Sequence, residues 1–180
     1  MVKTLSRRQM FLGSAALAFL PAVSRAEAAL PPAKGPVLLT IDGAITRGNG
    51  KSDTGAPLAQ FDADILDMLP QVTVETDTWW DEQPRRYRGP LLRDVLAACG
   101  ADLTKGSFRA VAINDFAMTI PMGDVTRWPV LLARFMDEQP LPRRTKGPLW
   151  IMYPRRGDPD LERINVRHRW VWQLNRITVS

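Results

Sequence analysis

The chain has 180 residues, with 24 Lys and Arg against 19 Asp and Glu, a single histidine and a single cysteine, and 45% of it is hydrophobic. One histidine and one cysteine exclude in practice a zinc centre built from nitrogen and sulfur ligands, and they leave no intramolecular disulfide to form. The formal charge of +5 is borne partly by the first 28 residues, because removing Lys3, Arg7, Arg8, Arg25 and Glu27 takes it to +2, which is too little to point to nucleic acid.

At the start, SRRQMF (Ser6 to Phe11) leads into an apolar run from Met10 to Val23, and SRA (Ser24 to Ala26) and AEA (Ala26 to Ala28) offer small-residue cleavage sites. This pattern reads as a twin-arginine secretory signal removed after Ala28, so the mature protein is expected to be exported to the periplasm. The apolar run is shorter than the roughly 20 residues of a membrane span, and no stable membrane insertion is expected. Residues 29–36, with PPAKGP from Pro31 to Pro36, read as a linker, which leaves one domain over 37–180, long enough to bury a core.

Val37 to Ile41 reads as the first strand, and Thr46 to Gly55 as a polar, glycine-rich loop that lacks the spacing of a phosphate loop. Asp62 is suited to cap a short helix through Leu69, with Pro70 marking its end. Val72 to Thr78 alternates as a strand and runs into Trp79, Trp80 and the turn-like DEQPRRYR (Asp81 to Arg88). In Leu91 to Gly100, Leu91, Leu92, Val95, Leu96 and Cys99 share one helical face, so the lone thiol is expected in the core, with Gly100 just past the helix end. Phe108 to Ile113, Ala117 to Ile120, Val130 to Met136, Leu149 to Tyr153 and Arg169 to Val179 follow as strands, and Pro121 to Asp124 as a short turn or helix. Strands outnumber helices without alternating regularly with them, which predicts an α+β fold with mixed, mostly antiparallel sheets.

The residues that carry chemistry are unevenly placed. Acids dominate up to Asp124, whereas Arg127 to Arg169 is basic, which suggests an anion site or an acidic partner surface. A serine–histidine–acid triad has no support, since His168 lies between two arginines and no G-x-S-x-G elbow is present. The feature that stands out joins flat rings (Trp79, Trp80, Tyr153, Trp170, Trp172) with cations (Arg85, Arg86, Lys146, Arg155, Arg169). A planar heteroaromatic anion uses both, since rings stack on its face, Asn114 or Asp115 pairs with its edge, and guanidinium groups hold its charge. Core packing is the competing reading for each tryptophan, most of all for Trp172, which shares a strand face with Leu174. Asn114 and Asp115 also suit a turn between two strands.

RGPLLRDVL (Arg88 to Leu96), INDF (Ile113 to Phe116) with Ile120 and Pro121, PLP (Pro140 to Pro142), KGPLWIMYP (Lys146 to Pro154) and VWQLNRITV (Val171 to Val179), in this order, resemble the oxidoreductase molybdopterin-binding domain family, with its sulfite-oxidase-type fold, and in particular its small, stand-alone exported members. The resemblance spans the mature chain and implies a compact fold that binds a pterin, either a reduced pterin or molybdopterin. Catalytic members hold molybdenum through a cysteine just after the strand that here reads VTVETDT (Val72 to Thr78), and this chain has threonine and acid there. The resemblance therefore implies pterin binding without sulfite-oxidase-type catalysis, with molybdenum not expected, and a regulatory partner such as the periplasmic domain of a membrane-bound signalling enzyme.

Carried onto this chain, the resemblance and the chemistry together place Asn114 and Asp115 on the pterin edge and Trp79 as the stacking ring. They put Thr76 and Thr78 on the former metal side, with Lys146, Tyr153, Arg155 and Arg169 on the anionic portion. Two rival readings stay open, a molybdopterin-dependent oxidoreductase whose metal lacks a protein thiolate, and an adaptor domain whose pocket has closed.

Overall fold

The computed structural model describes residues 29–162 and 164–180, so the expected signal segment lies outside the described residues. In chain order the elements are β1 (Leu39–Gly43), β2 (Gly50–Lys51), β3 (Pro57–Phe61), α1 (Ala63–Met68), β4 (Gln71–Thr76), β5 (Arg85–Pro90) and α2 (Leu92–Ala98). They continue with β6 (Ser107–Ala112), β7 (Ala117–Pro121), α3 (Gly123–Arg127), β8 (Leu131–Ala133), β9 (Phe135–Met136), β10 (Gln139–Pro140), β11 (Trp150–Met152), α4 (Ile164–Arg167) and β12 (Leu174–Val179).

Local signals explain the helices. The Asp62 side chain accepts the Ile65 amide at 2.9 Å and thereby caps α1, supplying a partner to a donor that the first helical turn leaves unpaired. It also accepts the amides of Lys34 and Gly35, both at 2.8 Å, so the segment expected as a linker is tied to the domain. These bonds, that from Gly35 foremost, hold the buried carboxyl below its ordinary range against the opposing cost of burial. A depressed carboxyl stabilises the fold above its unfolded value near pH 4 and loses that contribution as pH falls through its lower folded value. Asp62→Ala is therefore expected to lower stability by about 1–2 kcal/mol at neutral pH. Its urea midpoint should also fall less steeply than the parent's on acidification below about pH 4.

Helix α2 buries Leu92, Val95 and Leu96 and ends at Gly100, whose φ of +69° suits a residue without a Cβ. The stretch read as one strand from Val130 to Met136 divides into β8 and β9. Its central residue, Arg134, donates its backbone amide to Arg88 O at 2.9 Å and its guanidinium to Ala63 O and Asp67.

Six strands form a sheet in the order β2-β3-β1-β12-β6-β7, in which β1 and β12 run parallel and the other pairs antiparallel. A second sheet has the order β10-β9-β5-β4, and β11 pairs with β8 in a third. The fold is thus α+β with mixed, mostly antiparallel sheets and short helices, as the sequence predicts. Strand β5 is a correction: its arginines read as part of a solvated turn, yet Tyr87, Gly89 and Pro90 are buried. Arg85 and Arg86 stay exposed at the start of the strand and pair with Asp137 and Glu138, and burial begins at Tyr87. Gly89 is needed for close approach, because a Cβ there would meet Leu132 O at 2.0 Å.

Candidate functional site: an aromatic cavity

Three connections converge at one end of the sheets: the β4–β5 turn, the β6–β7 turn and the segment ahead of β12. Between them opens a cavity of about 440 Å³, within the size range of small-molecule sites. Trp80, Trp170, Trp172 and Phe116 supply its apolar walls, and Asn114, Arg167 and His168 its polar ones.

The β4–β5 turn decides which indole enters. Strand β4 ends at Thr76, two residues before the expected end. Thr78 then closes a tight turn, its hydroxyl accepting the amides of Trp80 at 3.2 Å and Asp81 at 2.9 Å while its own amide donates to Asp81 O at 2.8 Å. Trp80, 39% exposed, faces the cavity, with its ring centroid 4.7 Å from that of Trp172 in an edge-on contact. Trp79, expected as the stacking ring, instead lies under the Arg155 guanidinium at 4.5 Å. Thr76 and Thr78 are both buried, the Thr76 hydroxyl donating to Asp77 O at 3.1 Å, so both hydroxyls serve the turn.

On the opposite wall, Asp115 at φ +64° and the Ala112–Phe116 backbone pairing make the β6–β7 turn. Asn114 lines the cavity, whereas Asp115 is exposed at the turn. The third wall corrects the expected core position of Trp172. Gln173 adopts φ +51°, so β12 starts only at Leu174, and Trp172 stands half-buried against the cavity. Behind these rings, Trp150 is fully buried at 6.2–6.4 Å from Trp80, Trp170 and Trp172.

The cations divide into two groups. Arg155 pairs with Asp77 and Glu162, both at 3.2 Å, and Arg156 with Glu75. Arg169 donates to both oxygens of the buried Asp124, at 2.9 and 2.7 Å, and Tyr153 donates its hydroxyl to Asp124 Oδ2 at 2.7 Å. Tyr153, Arg155 and Arg169 therefore form structural networks next to the cavity. By contrast, Lys146, Arg167, Arg143 and Arg144 make no ion pair among the described residues. Lys146 Nζ lies 4.4 Å from the Trp150 ring centre and 5.5 Å from that of Trp80, and Arg167 lies 5.3 Å from Trp80. Burial lowers the pKa of Lys146.

Sequence reasoning missed Phe116, Arg167 and His168 as lining residues. Their signal was their place in INDF and in the basic run, which composition alone does not aim at one hollow.

Molybdenum does not fit the donors at the end of β4. Oxygen atoms engaged in a turn replace the soft thiolate that suits that metal, and no group of three His, Cys, Asp or Glu among the described residues has metal-binding geometry. Cys99 is fully buried in the core and donates to Val95 O at 3.3 Å, with its thiol pushed up to about 12 by burial. It is expected to resist a thiol reagent in native buffer and to react once denaturant unfolds the chain, as followed by the absorbance of the released chromophore. Rapid native labelling would place the thiol outside the core.

A flat ring with hydrogen-bonding edges fits better. The indole Nε1 groups of Trp170 and Trp150 are buried donors without a protein acceptor, and a buried donor left unpaired is costly. Trp170 lines the hollow, which sets this unpaired donor in the cavity wall.

No protein-family model matches the chain, and no curated protein sequence matches it. Among solved structures it is similar to the sulfane dehydrogenase SoxCD from Paracoccus pantotrophus, at 18% identity and a TM-score of 0.54, over 78% of this chain and 37% of that one. Its fold is shared with part of that enzyme. The chain spans little more than a third of the neighbour's length, and at this identity the likeness concerns architecture alone.

Proposed function

We propose that the protein binds a pterin, as a reduced pterin or molybdopterin, in the aromatic cavity, and acts as an exported ligand sensor rather than as a metal-dependent catalyst. The observation that carries this reading is the cavity itself: three indoles and a phenyl ring around one hollow, an unpaired Trp170 donor in its wall, and Lys146 and Arg167 beside it, which make no ion pair among the described residues. Stacking takes up the flat faces of the ligand, Asn114 and Trp170 address its edge, and the cations balance an anionic group. The resemblance of the sequence to the molybdopterin-binding family and the fold shared with a dehydrogenase support the same reading.

Export to the periplasm and a partner among membrane-bound signalling enzymes belong to this proposal, resting on the twin-arginine-like start and the basic stretch Arg143 to Arg169. The decisive experiment is native mass spectrometry and fluorescence of protein purified from an exporting host, followed by titration with tetrahydropterin. A pterin-sized adduct, or saturable quenching of tryptophan emission, is expected, and absence of both overturns the reading. The molybdenum enzyme without a protein thiolate is distinguished by elemental analysis, where one molybdenum per chain would favour it.

A further inference from the structure

Six aromatic rings form an unbroken series from the cavity wall to Trp128, beneath the exposed Arg127. Trp80, Trp170 and Trp172 face the cavity, Trp150 lies behind them, and Trp80 is 6.3 Å from Trp170. Trp170 stacks on Tyr153 at 6.2 Å with 21° between planes, and Tyr153 meets Trp128 at 6.1 Å. Trp128 is 9% exposed and lies under the exposed Arg127. Indole and phenol are the side-chain rings that lose one electron most readily, and electron transfer falls off exponentially with distance. Several steps of this length are therefore faster than one long jump.

We propose that these six rings are a hole relay, through which a one-electron oxidant in the cavity draws an electron from a reductant in solution near Trp128. The surroundings give it a direction. Lys146 stands over Trp150 and Trp80, and Arg167 over Trp80, and this positive charge disfavours a hole near the cavity. The Nε1 proton of Trp150, which lies behind the cavity wall, has no protein acceptor, so a hole there is not trapped by deprotonation.

Further out, carboxylates receive the proton. Tyr153 donates to Asp124 Oδ2 at 2.7 Å, and Trp128 Nε1 donates to Asp158 Oδ2 at 2.8 Å. Arg169 on Asp124 and Arg127 over Trp128 oppose the outward drift, but each is itself paired with a carboxylate, Asp124 and Asp160 respectively.

The electrons and protons balance. The oxidant, the one-electron-oxidised radical of a heteroaromatic ligand, gains an electron from Trp80 or Trp172, and the hole moves through Trp150 or directly to Trp170. Tyr153 refills Trp170 and passes its phenolic proton to Asp124. Trp128 then reduces the tyrosyl radical, the proton returns from Asp124 to the Tyr153 oxygen, and the indole proton of Trp128 passes to Asp158. A thiol or an enediol reductant in solution restores Trp128 with one electron, and Asp158 returns the proton. The relay is independent of which ligand fills the cavity, so its failure and that of the pterin reading are separable.

The test places the oxidant without any ligand. In the full chain carrying Asn114→Cys, a thiol-reactive ruthenium polypyridyl labels the cavity mouth while the buried Cys99 stays unlabelled, and a flash with a cobalt(III) quencher generates ruthenium(III) there. Transient absorption is expected to show a tryptophan radical cation followed by a tyrosyl radical, and peptide mass spectrometry to find oxidised Trp128. With Tyr153→Phe the tyrosyl signal and the Trp128 product should be lost, with oxidation retained at Trp170 and Trp172. Trp170→Phe should lose both as well, should the first variant fail to fold. Oxidised Trp128 at the parent yield in either folded variant, or no tyrosyl radical and no Trp128 product in the labelled parent, overturns the relay.

Discussion

Replacing Arg169 with alanine is expected to cost about 3 kcal/mol of folding free energy, the lower end of the range for removing one member of a buried ion pair, because the Arg169 side chain is 23% exposed while Asp124 is buried. Asp124 is 5% exposed and lies in α3, where its two oxygens take both Arg169 contacts and the Tyr153 hydroxyl. Without the guanidinium, a carboxylate out of water keeps one neutral donor, and its buried charge is left uncompensated. Urea unfolding at neutral pH reads the loss. A loss below about 1 kcal/mol would mean that the pair behaves as an exposed one. Tyr153→Phe removes one hydrogen bond and should cost only about 1–2 kcal/mol, which separates the charge from the network around it.

The second large effect concerns binding. Stacking of a heterocyclic base on an aromatic side chain is worth about 1–3 kcal/mol, so Trp80→Ala is expected to weaken tetrahydropterin binding by roughly 10-fold to 100-fold. Because Trp80 is 39% exposed, the fold should survive, and the change should appear in the titration rather than in the melting curve. Trp79→Ala is the matched control. It removes the ring beneath Arg155 and is expected to lower stability while leaving affinity near the parent value. Equal affinity losses in both variants would move the ligand to the Trp79 side and return the site to the ring first expected from the sequence.

The two adjacent tryptophans show where sequence reasoning reaches its limit. Period-two alternation located β4 and its aromatic end, and an accumulation of rings and cations was legible there. Which indole faces the hollow depends on where the strand stops, and that was set by the Thr78 turn, a local hydrogen-bond pattern that competes with strand continuation. Trp172 failed in the same way, since one left-handed residue, Gln173, took it out of the strand whose alternation had placed it in the core. Among the cations, charge counting could not separate Arg155 and Arg169, which carboxylates distant in sequence neutralise, from Lys146 and Arg167, which stand over tryptophan rings.

What the sequence determined by itself were the features that depend on neighbours a few positions away: the Asp62 cap, the apolar face of α2 with its buried Cys99, most of the strands, and hence an α+β fold with mixed sheets. It also established that the end of β4 offers no thiolate. The tertiary structure decided the rest. Only the packing of three distant connections against one another selects Trp80, Trp170 and Trp172 as the walls of a common cavity. Ring orientation and charge pairing follow from contacts between residues tens of positions apart, and no local pattern encodes them.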